Sequence, residues 1–193
     1  YLIARYGAFP VTYTLCGEVT LAYYSDLGSE WDKYKKQFRA QWSEVARHVQ
    51  EVDPFDRLLT VHPGPGIHDG LPPLDDMEAV DFVMSQPGHN GFHTVPTSYR
   101  FLKRFMTQFP DKPVMNGEVC FEGMFGSALH DVQRFNFWSN VLMGTAGFSY
   151  GVEGIWQFNT EEELVGASPT GSTWGNVPWE VAYQHQGSQH LGL

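Results

Sequence analysis

Five short apolar segments constrain the fold of this chain more than any other feature of its sequence. They are rich in β-branched and aromatic residues, and a helical pattern or a long loop separates each from the next. Strands that alternate with helices in this way build parallel sheets, because a parallel connection needs a crossover of a dozen or more residues. The predicted strands span residues 8–18, 57–62, 81–86, 113–118 and 146–150.

Amphipathic helices are predicted between these strands. The strongest begins near residue 30, with Trp42, Val45 and Val49 on its apolar stripe and a solvated basic face that includes Arg39. Two more are predicted over residues 96–109 and 127–142. The latter should bury its apolar stripe, which consists of Val132, Phe135, Trp138 and Leu142. A first helix is predicted to be stopped by Gly7 at its C′ position, and a last one to span residues 178–190.

A polar residue closes each predicted strand. In α/β barrels the chemistry takes place at the carboxyl ends of the strands, so these residues are predicted to line one site. An open doubly wound sheet is the alternative architecture, but no glycine-rich phosphate-binding turn follows any strand. The strand-end residues are Glu18, His62, Gln86, Glu118 and Tyr150.

Two of these residues, Glu18 and Glu118, are carboxylic acids, and each follows a glycine at the exit of an apolar strand. Alternation along the strand predicts that Val114, Asn116 and Glu118 share one side. A pair of carboxyls is what glycoside cleavage requires, one to protonate the leaving oxygen and one to attack or to activate water. Either acid alone is more often a cap or an ion-pair partner, and Glu122 and Glu153 are alternatives for the second carboxyl.

Further side chains near the strand ends are candidates for substrate contacts. His62, Gln86 and His89 could bind sugar hydroxyls, and the rings of Tyr150 and Trp156 could stack on a sugar. The alternatives are histidines bonded to backbone and aromatic residues packed in the core. His89 and His93 have the i, i+4 spacing of metal ligands, but Gly91 lies between them, so no metal site is predicted. No cofactor is predicted, and no serine lies in a G-x-S-x-G motif.

The acidic composition limits the range of partners. A formal net charge of −10 disfavours nucleic acid and anionic membranes as partners, and no run of 18 apolar residues could span a bilayer. An acidic, aromatic-rich chain is compatible with neutral ligands such as carbohydrates, and equally with a merely soluble surface. Cys16 and Cys120 are predicted to be buried free thiols rather than a disulfide.

Several segments, which follow one another in the family's order along most of the chain, resemble the apiosidase-like barrel hydrolases. These are similar to the retaining clan A glycoside hydrolases. Members of the group often carry a C-terminal domain described as collagen-binding. The resemblance implies a (β/α)8 TIM-barrel fold. The segments are RYGAFP at residues 5–10, LCGE at 15–18, LTVHP at 59–63, DFVMSQ at 81–86, KPVMNGE at 112–118, EG at 122–123, AGFSYG at 146–151 and GIW at 154–156.

The resemblance also implies roles for the two acids. The family places the acid/base at the end of the fourth strand, which corresponds to Glu18, and the nucleophile at the end of the seventh, which corresponds to Glu118. Clan A members usually have asparagine before the acid/base, where this chain has Gly17. That asparagine contacts the sugar 2-hydroxyl, so recognition of this hydroxyl does not carry over.

If Glu18 ends the fourth strand of the family's barrel, residues 1–193 form a single partial barrel domain that contains strands 4 to 8. A complete barrel needs about 250 residues, so we expect the chain to be part of a longer protein and to self-associate through its open strand edges. The resemblance alone favours an extracellular or periplasmic location. The expected function is retaining hydrolysis of O-glycosidic bonds in plant or microbial polysaccharides. The alternatives are a non-catalytic carbohydrate-binding or scaffolding barrel, and hydrolysis of another bond by the same acids.

Overall fold

The computed structural model describes residues 1–19, 30–65, 72–156, 158–163 and 177–191 of the chain. Its strands are shorter than the predicted segments but lie inside all five of them. Each strand contains only the two or three residues that form a regular ladder with a neighbour. They are β1 (Tyr13–Thr14), β2 (Leu59–Thr60), β3 (Val83–Ser85), β4 (Val114–Asn116) and β5 (Gly147–Phe148).

The strands are parallel and follow one another in sequence order. β1 pairs with β2, and β3 pairs with β4, which in turn pairs with β5. Hydrogen bonds also connect β2 to the start of β3. The backbone N–H of Asp81 donates to the carbonyl of Leu59 at 2.8 Å, and Oγ1 of Thr60 donates to the carbonyl of Phe82 at 2.8 Å. Because all five strands point the same way, their carboxyl ends lie along one edge.

Helices connect β1 to β2, β3 to β4 and β4 to β5, as the alternating pattern predicts, whereas the described part of the connection from β2 to β3 contains a 3₁₀ turn and no α-helix. Single 3₁₀ turns at Met77–Ala79, Gly91–His93 and Met124–Gly126 complete the connections. In the described part of the chain, no helix is both long enough and apolar enough to cross a membrane. The helices are α1 (Leu2–Tyr6), α2 (Trp31–Val52), α3 (Thr94–Gln108), α4 (His130–Leu142), α5 (Trp179–Ala182) and α6 (Gln186–Leu191).

The main apolar core lies between the strands and helices α2 and α3. Ala46 of α2 and Leu102 of α3 are fully buried in it, together with residues from three of the strand segments. Burying one large aliphatic side chain contributes about 1.5–3 kcal/mol, so this cluster supplies much of the stability of the sheet. The strand-segment residues are Leu59, Val61, Val83 and Val114.

Helix α4 turns a polar face inward, which corrects the sequence prediction. Val132 is buried as predicted, but Phe135, Trp138 and Leu142 are 52%, 43% and 80% exposed. The inward side chains are amides that satisfy buried polar groups, and apolar residues could not make these bonds. Asn140 Oδ1 accepts from Asn116 Nδ2 at 2.7 Å and from Ser98 Oγ at 3.1 Å.

Helix α2 differs from its prediction at two residues. Arg39 was expected on the solvated face, but it is 7% exposed because the segment around Leu74 covers it. Its Nη2 lies 3.0 Å from a carboxylate oxygen of Asp75 and donates to the carbonyl of Leu74 at 3.3 Å. Trp42 and Val49 do pack against the core, whereas Val45 is 41% exposed.

Of the two outer helix predictions, the first is confirmed and the second is corrected. Gly7 ends α1 as predicted, with a φ of −59°. A glycine is needed there for space, since a Cβ would lie 2.6 Å from the ring of Phe55. The predicted last helix is two short helices, α5 and α6, separated by a turn.

Candidate active site

Glu118 lies beyond the end of β4, where two histidines hold its carboxylate. Nε2 of His62 is 2.8 Å from one carboxylate oxygen, and Nε2 of His89 is 2.8 Å from the other. His62 follows β2 and His89 follows β3, so three neighbouring connections converge on one acid. The carboxylate side chain is 19% exposed and each histidine side chain is 16% exposed.

The side of the sheet that Glu118 occupies differs from the simple alternation. Val114 and Asn116 do share a side, which faces helices α3 and α4, since Asn116 bonds to Ser98 and Asn140. The strand ends at Asn116, so its alternation does not continue to Glu118. Gly117 provides the change of direction in a tight space, because a Cβ there would lie 2.1 Å from Cγ of Met84.

The histidines determine the charge state of this acid. Burial acts to raise the pKa of Glu118, but the contacts with His62 and His89 outweigh burial and lower the pKa to about 2. Both their hydrogen bonds and their positive charge favour the ionised form of the carboxyl. Glu118 is therefore a carboxylate at any pH near neutrality.

Glu18 lies at the same edge, just past β1, in an uncommon backbone conformation. Its φ is +47°, a region that costs a non-glycine residue on the order of 1–3 kcal/mol. Two contacts hold it there: Nε2 of Gln86 donates to a carboxylate oxygen of Glu18 at 3.0 Å, and the N–H of Val19 donates to the carbonyl of His62 at 2.9 Å. His62 thus supports the segment of one acid through its backbone and contacts the other acid through its ring.

Gln86 is the buried link between β3 and the first acid. It is 2% exposed, and while its amide nitrogen donates to Glu18, its Oε1 has no hydrogen-bond donor among the described residues. Buried amide oxygens normally have a partner.

Glu122 lies four residues beyond Glu118 and has a different environment. It is 1% exposed, and its carboxylate accepts a 2.5 Å hydrogen bond from the hydroxyl of Tyr150. The N–H of Gly187 donates to the same carboxylate at 2.9 Å, so Glu122 fastens the start of α6 to the loop after β4. Burial and the bond to Glu122 raise the pKa of Tyr150, whose hydroxyl stays protonated.

Glu153, the other alternative carboxyl, is 4% exposed, and burial raises its pKa. Its backbone N–H donates to the carbonyl of Glu122 at 3.0 Å, which places it in the paired segment after β5. The ion pairs of His62 and His89 are with Glu118. The geometry around the histidines therefore singles out Glu118 from the three carboxyls that follow β4 and β5.

A series of rings leads outward from the histidines. The ring of His89 is 4.8 Å from that of Phe121, which is 6.4 Å from that of Trp156. Trp156 is 53% exposed, whereas Tyr150 is partly buried against Glu122. Phe121 is a contact that the sequence reasoning missed, although its position three residues after Glu118 was a usable signal.

The remaining side chains that could take part in chemistry are possible metal ligands and the two cysteines. Within the described ranges, no group of three or more His, Cys, Asp or Glu residues is arranged to hold a metal ion. Both cysteines are free thiols, and burial raises the pKa of Cys16 to about 12 and that of Cys120 to about 11. Neither thiol is therefore a thiolate at neutral pH.

Parallel strands alternating with helices, and acids at their carboxyl edge, define this protein as an α/β enzyme-like domain of the barrel type. The chain belongs to the family of apiosidase-like catalytic domains, whose model matches residues 1–193. The family resemblance seen in the sequence is therefore confirmed.

Two solved structures show the same fold. One, described as a glycoside hydrolase, is 24% identical with a TM-score of 0.61, over 76% of this chain and 36% of that one. The other, a glycoside hydrolase family 5 protein from Bacteroides vulgatus ATCC 8482, is 23% identical with a TM-score of 0.61, over 78% of this chain and 35% of that one. No curated protein matches the chain.

The chain thus spans about a third of the length of both structures that it resembles. The predicted fold class, an α/β chain that forms part of a TIM-type barrel, is confirmed by this match and by the parallel strands. At these identities the likeness establishes the fold, and the chemistry has to be argued from the residues of this chain.

Proposed function

We propose that this chain carries the catalytic acids of a retaining glycoside hydrolase. The observation that supports this most directly is the carboxylate of Glu118, which two histidines keep ionised at the carboxyl edge of a parallel sheet. A second acid, Glu18, lies at the same edge, where Gln86 donates to its carboxylate and His62 links the backbone of its neighbour Val19 to Glu118. An ionised carboxylate and a separate proton donor are the two groups that retaining cleavage requires.

In the proposed reaction, Glu18 protonates the glycosidic oxygen as its bond to the anomeric carbon breaks. Glu118 attacks that carbon and forms a covalent ester, and the aglycone leaves with the proton from Glu18. Glu18, now a carboxylate, then takes a proton from water. The water oxygen attacks the anomeric carbon, releases Glu118 as a carboxylate and restores the original configuration.

The histidines act on both halves of this reaction. A carboxylate with a low pKa is already ionised, so no proton has to be removed before it attacks. It is also a good leaving group when water displaces it from the sugar. Its contacts with His62 and His89 must lengthen or rotate during attack, since both oxygens are engaged in the free protein.

Substrate contacts follow from the same geometry. The exposed ring of Trp156 would stack on the apolar face of the sugar that occupies the site, while Gln86 is buried and would act by holding Glu18. Among the residues that the structure describes, nothing lies within 4 Å of the point where a Cβ at Gly17 would be. We propose plant or microbial polysaccharides as the substrate class, met outside the cell.

A fluorinated glycoside that traps the covalent intermediate tests this proposal. After incubation, peptide mass spectrometry should locate the adduct on Glu118, and the Glu118→Gln variant should carry none. Glu122→Gln is the matched control, because it makes the same isosteric change four residues away and should still be labelled on Glu118. Labelling of Glu122 or Glu153 in the wild-type chain would contradict the assignment.

A non-catalytic carbohydrate-binding barrel is the second candidate function. The observation that favours it is the engagement of both oxygens of Glu118, which leaves neither free to attack unless the histidines move. Saturable binding of a glycan with no adduct and no turnover would support this alternative.

A further inference from the structure

Helix α4 carries its large apolar side chains on the side that faces solvent. Val132 is its one buried apolar residue among those the structure describes, and the rest of its buried face consists of amides. In its last two turns Phe135, Trp138, Val141 and Leu142 are all exposed, from 38% for Val141 to 80% for Leu142. We call these four residues the outer stripe. A helix that turns polar residues inward and apolar residues outward presents a surface suited to a partner.

Phe92 extends the outer stripe at the end nearer the start of α4. Its ring centroid lies 5.6 Å from that of Phe135, and its side chain is 55% exposed. Phe92 belongs to the 3₁₀ turn that precedes α3, so the apolar surface spans two connections of the sheet. Single exposed apolar residues are common on proteins, but side chains that contact one another form a continuous patch.

The apolar area of this patch reaches what a stable dimer needs. An aromatic side chain buries about 150–250 Å², so the three rings, each about half exposed, leave about 300 Å² for a partner. Val141 and Leu142 add roughly 100–150 Å². Two copies would bury about 850 Å² of apolar surface, and since about 60% of an interface is apolar, about 1,400 Å² in total. Specific complexes bury about 1,200–2,000 Å².

The charge distribution favours a second copy of the chain at this surface. The formal net charge of −10 makes copies repel one another over most of their surface. The sequence has no charged residue between positions 135 and 152, and helices α3 and α4 together contain four basic residues and one acid. This side of the protein therefore does not share the negative charge that keeps copies apart.

The spacing of the outer stripe is symmetric about its centre. Trp138 lies three positions after Phe135 and four before Leu142. Two α4 helices that pack antiparallel would therefore place Phe135 opposite the partner's Leu142, with the two Trp138 rings at the axis. In such an isologous contact the same patch serves both copies, and the assembly closes at two. We propose that the outer stripe is the two-fold interface of a homodimer.

This dimer uses a different surface from the open strand edges. The outer stripe is a helix face, so the contact requires no pairing of backbone groups. It also includes neither Glu18 nor Glu118, and the proposal does not depend on the proposed hydrolysis. Interfaces of this size range from micromolar to picomolar affinity, and one whose centre has no charged residue belongs at the weak end. We expect a dissociation constant in the micromolar range.

Sedimentation velocity of the 193-residue chain over about 1–100 µM tests the proposal. The average mass should rise from 21.9 kDa toward twice that value. Trp138→Arg brings two positive charges together at the axis, and Leu142→Lys buries a charge against a ring. Each should raise the dissociation constant about a hundredfold or more. Val45→Lys, at a 41% exposed apolar residue of α2, is the matched control and should leave it unchanged.

A cross-link tests the symmetry of the contact. In the Trp138→Cys variant a short bismaleimide should join two copies, because the two-fold axis passes between the two residues at position 138. Val45→Cys is the control and should stay unlinked. The wild-type chain, whose Cys16 and Cys120 are free thiols, gives the background.

Several results would overturn the dimer. These are a mass of 21.9 kDa at every concentration, undiminished association of both outer-stripe variants, or equal cross-linking of Val45→Cys. Thr14→Lys, which adds a charge at an exposed position of β1, should leave the dimer intact. Loss of association in Thr14→Lys but not in Leu142→Lys would assign self-association to the strand edges, and growth beyond two copies would mean a heterologous contact. If Trp138→Arg does not fold by circular dichroism, Leu142→Lys decides the outcome, because Leu142 is mostly exposed.

Discussion

Glu118 and Glu122 lie four residues apart in the segment that follows β4, and their environments differ in exposure and in bonding partners. Glu118 remains 19% exposed beside two side chains that can carry positive charge, His62 and His89. Glu122 is 1% exposed and is bound by neutral donors, the hydroxyl of Tyr150 and the N–H of Gly187. One carboxylate is held at an accessible edge, and the other is enclosed.

The difference shows what each environment is suited to. Histidine partners lower the pKa of a partly open carboxylate and leave it able to react with a ligand. Neutral donors in a closed setting satisfy a carboxylate and tie two segments together, and a Cβ at Gly187 would lie only 2.0 Å from its oxygen. There is no room at Glu122 for a sugar to approach from that side.

The largest expected effect is the loss of catalytic activity when Glu118, but not Glu122, is replaced. Glu118→Gln should lower kcat/KM for a nitrophenyl glycoside by about 10⁴-fold or more, since it removes the attacking group. Glu122→Gln keeps the volume of the side chain and should lower kcat/KM by less than about tenfold when corrected for the folded fraction. Steady-state kinetics on both purified variants provide the measurement.

A reversed order would break the comparison. If Glu122→Gln abolished turnover and Glu118→Gln did not, the enclosed acid would be the reacting one and the surrounding loop would have to open. Glu51→Gln, at a side chain that is 81% exposed on α2, is the surface control and should leave kinetics unchanged.

The next effect concerns stability and pH. The folded pKa of Glu118 is about 2, below the unfolded value of about 4.3, so its carboxylate stabilises the fold fully above pH 4.3 and loses this contribution as pH falls through 2. About two pKa units correspond to roughly 3 kcal/mol. We therefore expect the stability difference between wild type and Glu118→Gln to shrink by up to about 3 kcal/mol between pH 5 and pH 2.

Urea denaturation of both proteins at intervals of pH measures this difference. Glu51 again offers the control, because it also faces a histidine, His48, at 3.9 Å but on the open surface. An exposed pair contributes about 0–1 kcal/mol, so Glu51→Gln should show little change with pH. A pH-independent gap for Glu118→Gln would mean that the histidines do not hold Glu118 as an anion.

Much of the fold could be predicted from local sequence, because strand periodicity and helix amphipathicity are local properties. The positions of all five strands and of α2, α3 and α4 were expected. The inward face of α4 was not, because Gln133, Asn136 and Asn140 become core residues only when distant polar groups meet them. An amide buried by a tertiary network looks like a surface residue in the sequence.

The site shows the same limit. The sequence predicted four polar residues at the ends of parallel strands, and a common edge follows from parallel topology. These residues are Glu18, His62, Gln86 and Glu118. The contacts between the histidine rings and the carboxylate of Glu118 could not be predicted from the sequence. The distance of a histidine nitrogen from a carboxylate depends on side-chain conformations beyond the strand ends. The bond from Tyr150 to Glu122 joins residues 28 positions apart, and nothing in the local pattern indicates it.

The smallest effect tests the enclosed acid through its partner. Tyr150→Phe removes the hydroxyl donor and leaves the buried carboxylate of Glu122 with the N–H of Gly187, which should cost about 1–3 kcal/mol of unfolding free energy. Urea denaturation at pH 7 measures it, and Tyr183→Phe, which changes an exposed tyrosine, should cost little. If the ring of Tyr150 instead stacked on sugar, as the sequence prediction has it, Tyr150→Phe would keep that ring and leave stability intact, and Tyr150→Ala would be the variant that raises KM. The unfolding free energy of the Tyr150→Phe variant therefore distinguishes a structural role of this hydroxyl from a role in sugar binding. A hydroxyl that donates to Glu122 at 2.5 Å is engaged in the free protein, before any substrate binds.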